Sequence, residues 1–250
     1  MRASCAAAST PHAGSVALAP ARKRELLARV PLFAGLAPRE LEALAALTRS
    51  LALVTREELF HKGDPGNHVY AVAEGTLKVV TTSESGDDVV FNVVGPGDVI
   101  GEIAALCQAE RTASVVALSA CELLAIDRRD LFAFLRAHPE ASLELMVVLA
   151  RRVRSLSELV EDTLFLNLPV RLAKKFVAYA ASHGERVPGG FRIGIKLSQE
   201  EWGDLVGATR ESINKLMRAW TDQGTIRVDH GFVVILRLEA LEELAGSSSD

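Results

Sequence analysis

The sequence of 250 residues predicts an α+β fold, and three features of the chain lead to this prediction. Short apolar runs separated by glycines, from about Leu51 to Ile126, predict a small antiparallel β-roll. A segment without internal Gly or Pro follows from Pro139 to about Phe165 and predicts one long helix. Beyond it, helical segments followed by a β-hairpin predict a C-terminal winged helix-turn-helix.

Composition limits the classes of protein to which the chain can belong. No apolar run approaches the roughly 18 residues needed to span a bilayer, so we expect no membrane segment. The N-terminal region is rich in Ala and Ser and is interrupted by His12, Gly14 and two prolines. This pattern favours a disordered tail over a signal peptide. We therefore expect a cytoplasmic protein.

The cysteine and histidine patterns give no indication of a metal or redox centre. The 3 cysteines are too few and too scattered for a disulfide framework or a four-thiolate cluster. His61, His68 and His138 show no clear ligand spacing for haem. No nucleophile–base pair or triphosphate-binding loop stands out either. We expect no metal, no haem, no iron–sulfur cluster and no catalytic residues, which means that the protein is not an enzyme.

Four segments of different patterning define the expected domains. Residues 1–20 form the tail, residues 21–137 a glycine-rich β domain, residues 138–166 the long helix, and residues 167–250 the C-terminal domain. Within the second segment we predict two short helices and a series of strands: helices at Arg22–Val30 and Pro38–Leu47, and strands at Val69–Val72, Leu77–Val80, Val89–Val94 and Val115–Leu118.

The predicted long helix carries an apolar seam. Its members are spaced alternately by three and four residues, as in a heptad repeat: Met146, Leu149, Val153, Leu156, Val160 and Thr163. A single amphipathic helix packed on its own domain would also show such a stripe. Because this seam lies between two domains, we favour pairing with a second copy of the chain, which makes the protein a homodimer.

The segment from Ser198 to Arg218 has the pattern of a helix-turn-helix. Ser198 and Glu201 form a capping box at the start of the first helix. Gly207 ends that helix at a tight turn, and Thr209 can cap the second helix. Apolar residues at i, i+3, i+4 and i+7 give the second helix a buried face: Ile213, Leu216, Met217 and Trp220. A wing is predicted from two strands flanking a turn: Thr225–Val228 and Phe232–Leu236, around residues 229–231.

The other side of the second helix carries residue types that suit base edges in DNA: Arg210, Glu211, Asn214, Lys215 and Arg218. Arg and Lys donate to guanine, Glu accepts from cytosine, and Asn can pair with adenine. The net charge of −4 does not oppose this, because residues 166–250 hold eleven Lys or Arg against eleven Asp or Glu. Binding to phosphates requires a basic face rather than a basic chain. An ordinary helical hairpin with a solvated face is the alternative; the caps, turn length and wing together favour DNA binding.

At this point the chain resembles the CRP/FNR family of bacterial transcription regulators. The segment Val206–Ile213, which reads VGATRESI, is similar to the family signature V-G-x-[ST]-R-E-[ST]-[VI], and the likeness extends from about Val30 to Ile235. It implies three base-reading residues (Arg210, Glu211 and Lys215) and two residues that touch phosphates (Gln199 and Thr209). Cyclic-AMP receptors of this family carry Arg at the position of Lys215. The resemblance also implies palindromic double-stranded DNA, a second copy of the chain and RNA polymerase as partners.

The β domain is similar to the cyclic-nucleotide-binding β-roll of the same family. Gly101-Glu102-Ile103 and Arg111-Thr112-Ala113 resemble its phosphate-binding cassette, G-E-[LI]…R-[TS]-A. In such a site Arg111 can pair with a phosphate, Thr112 can donate a hydroxyl, and Glu102 can accept from a ribose hydroxyl. An ion pair between Glu102 and Arg111 that only holds the loop is the alternative. The resemblance further implies that Arg152 pairs with Glu102 and thereby couples the pocket to the long helix.

The family resemblance therefore implies an N-terminal cyclic-nucleotide-binding β-roll, a long dimerisation helix and a C-terminal winged helix-turn-helix. It also implies that cyclic AMP or cyclic GMP controls DNA binding. One departure bears on the ligand. Cyclic-AMP receptors have a Thr-Ser pair on the dimer helix that contacts the purine, and this chain has Leu156-Ser157. Two hypotheses follow. The protein binds a cyclic nucleotide, either a different one or cyclic AMP with less selectivity, or it is a ligand-independent activator or repressor whose sensor domain is a scaffold.

Overall fold

The computed structural model describes residues 14–15, 18–82 and 88–246. It divides into two compact units, Met1–Leu149 and Ala150–Asp250. Within the described ranges, no helix combines the length and the apolar character that crossing a bilayer requires. Most of the predicted tail lies outside the described residues. Inside it, Gly14–Ser15 form a strand, β1, and Pro20 begins the first helix.

The first unit opens with two proline-initiated helices. Helix α1 spans Pro20–Ala28, a 3₁₀ turn spans Pro31–Phe33, and α2 spans Pro38–Leu47, the last with the predicted bounds. Proline suits the first turn of a helix because its fixed φ is helical and its missing N–H has no partner there. At α2 the Glu40 carboxylate also accepts a hydrogen bond from the Ala37 N–H at 2.7 Å. This contact satisfies one of the free N–H groups at the start of the helix.

The predicted β-roll consists of two antiparallel sheets. The first has the order β1-β2-β9-β4-β7 and the second the order β3-β8-β5-β6. The strand bounds are β2 Thr48–Leu53, β3 Glu58–Phe60, β4 His68–Glu74, β5 Leu77–Thr82, β6 Asp88–Val94, β7 Val99–Ile100, β8 Ser114–Ala117 and β9 Cys121–Asp127. Apolar side chains from both sheets form the cores of this unit, together with helices at its N-terminal and C-terminal ends.

Glycines shape the turns of the roll where the backbone must enter the left-handed region. Gly63, Gly75 and Gly97 have φ values of 90°, 85° and 93°, which side chains with a Cβ rarely adopt. A Cβ at Gly75 would also lie 2.3 Å from the carbonyl oxygen of Ala120. The backbone conformation therefore accounts for glycine at all three positions.

One helix, α3, lies between two strands of the roll, and two more, α4 and α5, follow its last strand. Helix α3 spans Glu102–Cys107, α4 spans Arg128–Ala137 and α5 spans Pro139–Phe165. The bounds of α5 agree with the prediction. The strands β3, β7 and β9 and helix α3 were not predicted, and β2 begins at Thr48 rather than near Leu51. Strand β9 lies between β2 and β4, and both of its faces are covered, because alternate residues enter two different cores. Its sequence therefore lacks the alternation that identifies a half-exposed strand.

The second unit contains the winged helix-turn-helix. Helix α6 spans Leu168–His183, α7 spans Gln199–Val206, α8 spans Arg210–Asp222 and α9 spans Leu238–Gly246. One four-stranded antiparallel sheet has the order β10-β11-β13-β12, with bounds β10 Gly184–Val187, β11 Gly190–Ile193, β12 Ile226–Asp229 and β13 Phe232–Ile235. The turn between β12 and β13 holds His230 and Gly231 at φ 48° and 88°. Two positive φ values in a two-residue loop are typical of a hairpin turn whose twist matches its strands.

Candidate ligand site and nucleic-acid interface

Arg111 is the most deeply buried cation among the described residues of the first unit. Arg111 is only 4% exposed, and it lies between α3 and strand β8. Nη1 donates to the carbonyl oxygen of Gly101 at 2.9 Å, and Nη2 donates to the carbonyl oxygen of His68 at 2.7 Å. The guanidinium therefore links Gly101, which lies between β7 and α3, to the start of β4. Two backbone carbonyls satisfy part of its donor capacity without neutralising its charge.

Two aromatic rings support the same guanidinium. The Arg111 Cζ lies 4.2 Å from the ring centroid of Phe60 on β3 and 5.6 Å from that of Tyr70 on β4. The two rings stack on each other at 5.8 Å. A cation over an aromatic face is attracted by the ring quadrupole, and burial strengthens this attraction. The two rings thus help to hold the guanidinium group in place.

Burial sets the electrostatics of this cluster, which we call the Arg111 cradle (Arg111, Gly101, His68, Phe60 and Tyr70). Burial lowers the pKa of Arg111, while Tyr70 and the Asp64 and Glu102 carboxylates act in the opposite direction. Burial raises the pKa of the Tyr70 phenol, which keeps that ring neutral. An arginine side chain stays charged in proteins, so the cradle presents a permanent positive charge in a partly desolvated place.

Gly101 makes the close approach of Arg111 possible. Its φ is +81°, and a Cβ at this position would lie 2.4 Å from Arg111 Nη1. The other predicted residues of the cassette surround this contact. Glu102 begins α3 and is buried, Ile103 and Thr112 are exposed, and Ala113 is half-buried. The structure therefore brings the two halves of the predicted cassette, residues 101–103 and 111–113, into direct contact through Arg111 and Gly101.

The guanidinium has further donors, and Nε is one of them. Within the described part of the chain, the buried Nε of Arg111 has no hydrogen-bond partner. A buried cationic donor without a partner is costly, and a charge-assisted bond to a phosphate oxygen would remove that cost. The donor set fits an anionic group of a ligand.

His68 is part of the cradle, although sequence analysis assigned it no role. Its carbonyl accepts from Arg111, and its Nε2 lies 2.6 Å from Arg49 Nη2. Because an arginine can only donate, Nε2 is the acceptor, and the imidazole is neutral in this contact. Burial and then the Arg49 charge lower the pKa of His68, against the effect of Asp127. No spacing in the sequence indicates this role, because it depends on the pairing of β4 with β9 and on a contact across 43 positions.

The apolar seam of α5 is exposed. Eight of the thirteen large hydrophobic residues that are exposed within the described chain lie on this helix. Val153 is 63% exposed, Leu156 is 54% and Val160 is 59%. Leu149, by contrast, packs against the core of the first unit. A contiguous apolar surface of this kind is typical of a protein–protein interface.

Two residues of α5 were predicted to reach the ligand. Arg152 is half-buried, and Ser157 is exposed. The Ser157 hydroxyl donates to the carbonyl oxygen of Val153, one turn earlier on the same helix, at 3.0 Å. Such a bond is ordinary for Ser in a helix. Their proposed contacts with a nucleotide and with Glu102 remain predictions.

The helix-turn-helix has the predicted local structure. Ser198 Oγ accepts from the Glu201 N–H at 3.2 Å, while the Glu201 carboxylate accepts from the Ser198 N–H at 2.8 Å. Gly207 ends α7 at φ +66°, and Thr209 Oγ1 accepts from the Ser212 N–H at the start of α8. The capping box, the glycine turn and the second cap are therefore confirmed.

Sequence analysis missed one glycine of this motif. A Cβ at Gly203 would lie 2.5 Å from the carbonyl oxygen of Ala208 and 3.5 Å from Ile213 Cγ1. The Ala208 N–H also donates to the Gly203 carbonyl at 2.9 Å. Gly203 thus lets α7 pass close to the turn and to α8. Its signal in the sequence is a glycine inside a helical pattern, which costs stability unless close packing requires it.

Helix α8 separates a buried face from an exposed face. Ile213, Met217 and Trp220 are buried, and Trp220 contacts Phe176 of α6 with ring centroids 5.8 Å apart. All five predicted reading residues are exposed: Arg210, Glu211, Asn214, Lys215 and Arg218. Thr209 is exposed and Gln199 half-buried at the starts of α8 and α7. A helix that is anchored on one side and carries these donors and acceptors on the other can present them to base edges in a major groove.

Two family models match the two parts of the chain. Residues 50–138 match the cyclic nucleotide-binding domain, and residues 170–244 match the Crp-like helix-turn-helix domain. The Arg111 cradle lies within the first match and the exposed face of α8 within the second. The two candidate sites therefore lie in two different matched domains.

Two relatives match most of this chain over nearly their whole length. The chain is 33% identical over 224 residues to a protein of Mycobacterium tuberculosis named CRP-like cAMP-activated global transcriptional regulator, which covers 88% of this chain and 99% of the relative. It is 32% identical over 215 residues to the cyclic AMP receptor protein of Thermus thermophilus, with coverage of 86% and 96%.

Solved structures confirm the fold. The catabolite activator protein of Thermus thermophilus has a TM-score of 0.50 and 29% identity, with coverage of 88% of this chain and 100% of that one. The c-di-GMP responsive regulator CLP of Xanthomonas campestris has a TM-score of 0.69, with coverage of 80% and 99%. Its identity is 20%, so this likeness supports the fold alone.

Proposed function

This chain belongs to the CRP/FNR family of transcription regulators, and we propose that it is a homodimeric DNA-binding regulator gated by a cyclic nucleotide. The family consists of transcription regulators, not of enzymes. In this proposal residues 21–137 sense the ligand, residues 138–166 pair two chains, and residues 167–250 bind DNA. The observation that carries the proposal is the buried Arg111 guanidinium, whose unpartnered Nε lies in a domain of the cyclic-nucleotide-binding family.

The ligand proposal assigns a role to each residue of the cassette. Arg111 pairs with the cyclic phosphate, and Thr112 donates its exposed hydroxyl to the same group. Glu102 accepts from the ribose hydroxyl. Gly101, Ile103 and Ala113 shape the backbone around the phosphate, and Arg152 and Ser157 act from α5. Cyclic AMP and cyclic GMP are the proposed ligands, and the names of the two relatives favour cyclic AMP.

The DNA proposal rests on the exposed face of α8. Arg210, Glu211 and Lys215 read base edges, supported by Asn214 and Arg218, while Gln199 and Thr209 contact phosphates. In a symmetric dimer the two recognition helices enter successive major grooves, so the half-sites of a palindrome lie about 34 Å apart.

The dimer proposal rests on the exposed apolar seam of α5, which a second copy of the same helix would cover in a two-stranded coiled coil. The proposed cellular context follows from DNA as the partner. We place the protein in the cytoplasm, where it acts on promoters together with RNA polymerase.

A ligand-independent regulator is the second candidate, and one observation favours it. Leu156 occupies the position at which cyclic-AMP receptors present a hydroxyl to the purine, and the neighbouring Ser157 hydroxyl is bonded within its own helix. In this candidate Leu156 strengthens the apolar seam, and the sensor domain serves as a scaffold.

Calorimetric titration of the purified protein with cyclic AMP, cyclic GMP and cyclic di-GMP separates these candidates. We expect saturable heat from cyclic AMP or cyclic GMP and its loss in Arg111→Gln. Absence of heat from all three nucleotides would refute the ligand site, and saturation by cyclic di-GMP alone would refute the proposed ligand class.

A further inference from the structure

Three potential metal ligands converge at the point where α4 passes into α5. They are Glu40 on α2, His138 between α4 and α5, and Glu140 in the first turn of α5. One ligand atom from each lies within 4.8 Å of the other two. Glu40 lies 98 positions before His138, so no spacing in the sequence indicates the cluster. This explains why sequence analysis predicted no metal.

The atom separations suit a small divalent cation. His138 Nδ1 lies 3.0 Å from Glu40 Oε1 and 3.4 Å from Glu140 Oε1. Zinc bonds to imidazole nitrogen at about 2.0–2.1 Å and to carboxylate oxygen at about 2.0–2.2 Å. Tetrahedral ligands at such bond lengths are about 3.3 Å apart. Two of the three edges of the cluster are therefore close to this value before any metal binds.

Two of the three ligands are held in place by other contacts. The His138 ring lies on Phe134 with centroids 4.3 Å apart, and its side chain is only 19% exposed. The second oxygen of Glu40, Oε2, accepts from the Ala37 N–H, which leaves Oε1 directed at the imidazole. A metal site needs oriented ligands, because each free side chain costs entropy when it is ordered.

The chemistry of the ligand set indicates a first-row metal. One imidazole nitrogen and two carboxylate oxygens form a mixed N/O set, and neutral imidazole favours zinc over calcium or magnesium. Two carboxylates beside a single histidine leave an excess of negative charge that a divalent ion neutralises. With the side chain of Glu140 54% exposed, solvent can complete the coordination.

We propose that Glu40, His138 and Glu140 form a zinc-binding site that fastens helix α2 to the α4–α5 junction. The site shares no residue with the Arg111 cradle or with the helix-turn-helix. Bound zinc stabilises the folded first unit, because a ligand that binds only the folded state adds to its stability.

Cobalt titration of the full-length, EDTA-treated protein tests the site, with Co²⁺ as a coloured stand-in and Zn²⁺ as the competitor. We expect one Co²⁺ per chain, visible absorption of an N/O-ligated ion, displacement by Zn²⁺ and a higher thermal midpoint with Zn²⁺. His138→Gln and Glu40→Gln should raise the Kd at least about tenfold, since even outer-shell changes cost that much. Glu40→Gln retains the contact with Ala37, because Gln serves equally in a capping box.

His61→Gln is the matched control. His61 also pairs with a carboxylate, Glu58 at 2.8 Å, but outside any described three-ligand cluster, so its replacement should leave the Co²⁺ affinity unchanged. Glu140→Gln provides an exposed third variant if a buried change impairs folding, and its Kd should rise as well. Three results would overturn the proposal: less than one equivalent bound, a thiolate charge-transfer band, or wild-type affinity in Glu140→Gln or His138→Gln. None of these would bear on nucleotide or DNA binding.

Discussion

Arg111 and Gly101 are in direct contact, with Nη1 donating to the Gly101 carbonyl at 2.9 Å across ten positions of sequence. The contact requires glycine for two reasons: the backbone has φ +81°, and a Cβ would lie 2.4 Å from Nη1. The two halves of the predicted cassette are thus joined by a backbone-to-guanidinium bond. The position of the charge depends on the absence of a side chain at residue 101.

Replacing Gly101 by Ala should weaken nucleotide binding more than it weakens the fold. The new methyl group displaces the Arg111 guanidinium from the Gly101 and His68 carbonyls and from the proposed position of the phosphate. Loss of one charge-assisted hydrogen bond corresponds to about 1.5–3 kcal/mol, or about tenfold to hundredfold in Kd. Calorimetry with cyclic AMP and cyclic GMP measures the change.

Gly35→Ala is the control for that variant, because a Cβ at Gly35 meets nothing within 4 Å. It should bind nucleotide as the wild type does. Equal affinities for Gly101→Ala and the wild type would show that the Gly101–Arg111 contact is not part of the ligand site.

His68 should make the stability of the protein sensitive to acid. Burial and Arg49 lower the pKa of His68 below its ordinary value of 6.5, so the unfolded chain binds the proton more readily than the folded chain does. The stabilising contribution is complete above pH 6.5 and is lost as the pH falls through the folded-state pKa.

Urea denaturation between about pH 7.5 and about pH 5.5, a range that brackets the usual histidine pKa of about 6.5, measures this effect. The free energy of unfolding should decline more steeply for the wild type than for His68→Gln, which keeps an acceptor for Arg49 but does not titrate. Parallel pH profiles would contradict the assignment of His68 as the titrating group.

Val153→Glu should prevent dimerisation through α5. The side chain is 63% exposed in the single chain, and pairing with a second copy would bury it. An uncompensated charge at such an interface costs about 3–5 kcal/mol, so the dimer Kd should rise at least about hundredfold. Sedimentation equilibrium measures the Kd directly.

Arg154→Glu is the matched control, because it places the same side chain one residue further along the helix and off the seam. It should remain dimeric. If Val153→Glu were as dimeric as the control, the seam would not be the interface.

Arg210→Ala should reduce sequence discrimination on DNA without affecting folding, because Arg210 is exposed at the start of α8. Loss of a base-reading arginine costs about 1–3 kcal/mol of specificity. Competition gel shifts with palindromic and scrambled DNA measure the ratio. Arg237→Ala, an exposed arginine outside the helix-turn-helix, should keep the wild-type ratio. Unchanged discrimination in Arg210→Ala would show that the reading face lies elsewhere.

Local signals in the sequence predicted the elements that begin and end at characteristic residues. Pro38 and Pro139 mark the starts of α2 and α5, and Gly207 marks the end of α7, so their bounds could be predicted closely. Local signals were insufficient where both faces of an element are covered. Strand β9 lacks alternation for this reason, and its place between β2 and β4 depends on pairings across many residues.

The candidate sites also differ in how far local sequence signals could predict them. The exposed face of α8 could be predicted from helical periodicity, because a buried stripe defines the opposite face. The base-reading roles of Arg210, Glu211 and Lys215 are implied by the family resemblance and remain predictions. The environment of Arg111 could not be predicted from such local signals, because Phe60, Tyr70 and the His68 carbonyl come from strands distant in the chain. The cassette motif predicted which residue carries the charge, and only the pairing of the strands determines how that charge is held.

The most direct test of the account is the affinity of the full-length protein for a palindromic TGTGA-type DNA site, measured by fluorescence anisotropy with and without saturating cyclic AMP or cyclic GMP. Coupling between two sites is typically about 1–3 kcal/mol, so we expect one of these nucleotides to tighten DNA binding about fivefold to 150-fold. Arg111→Gln should abolish this dependence while still binding DNA weakly. Equal DNA affinity with and without both nucleotides would contradict the gating proposal and favour the ligand-independent regulator.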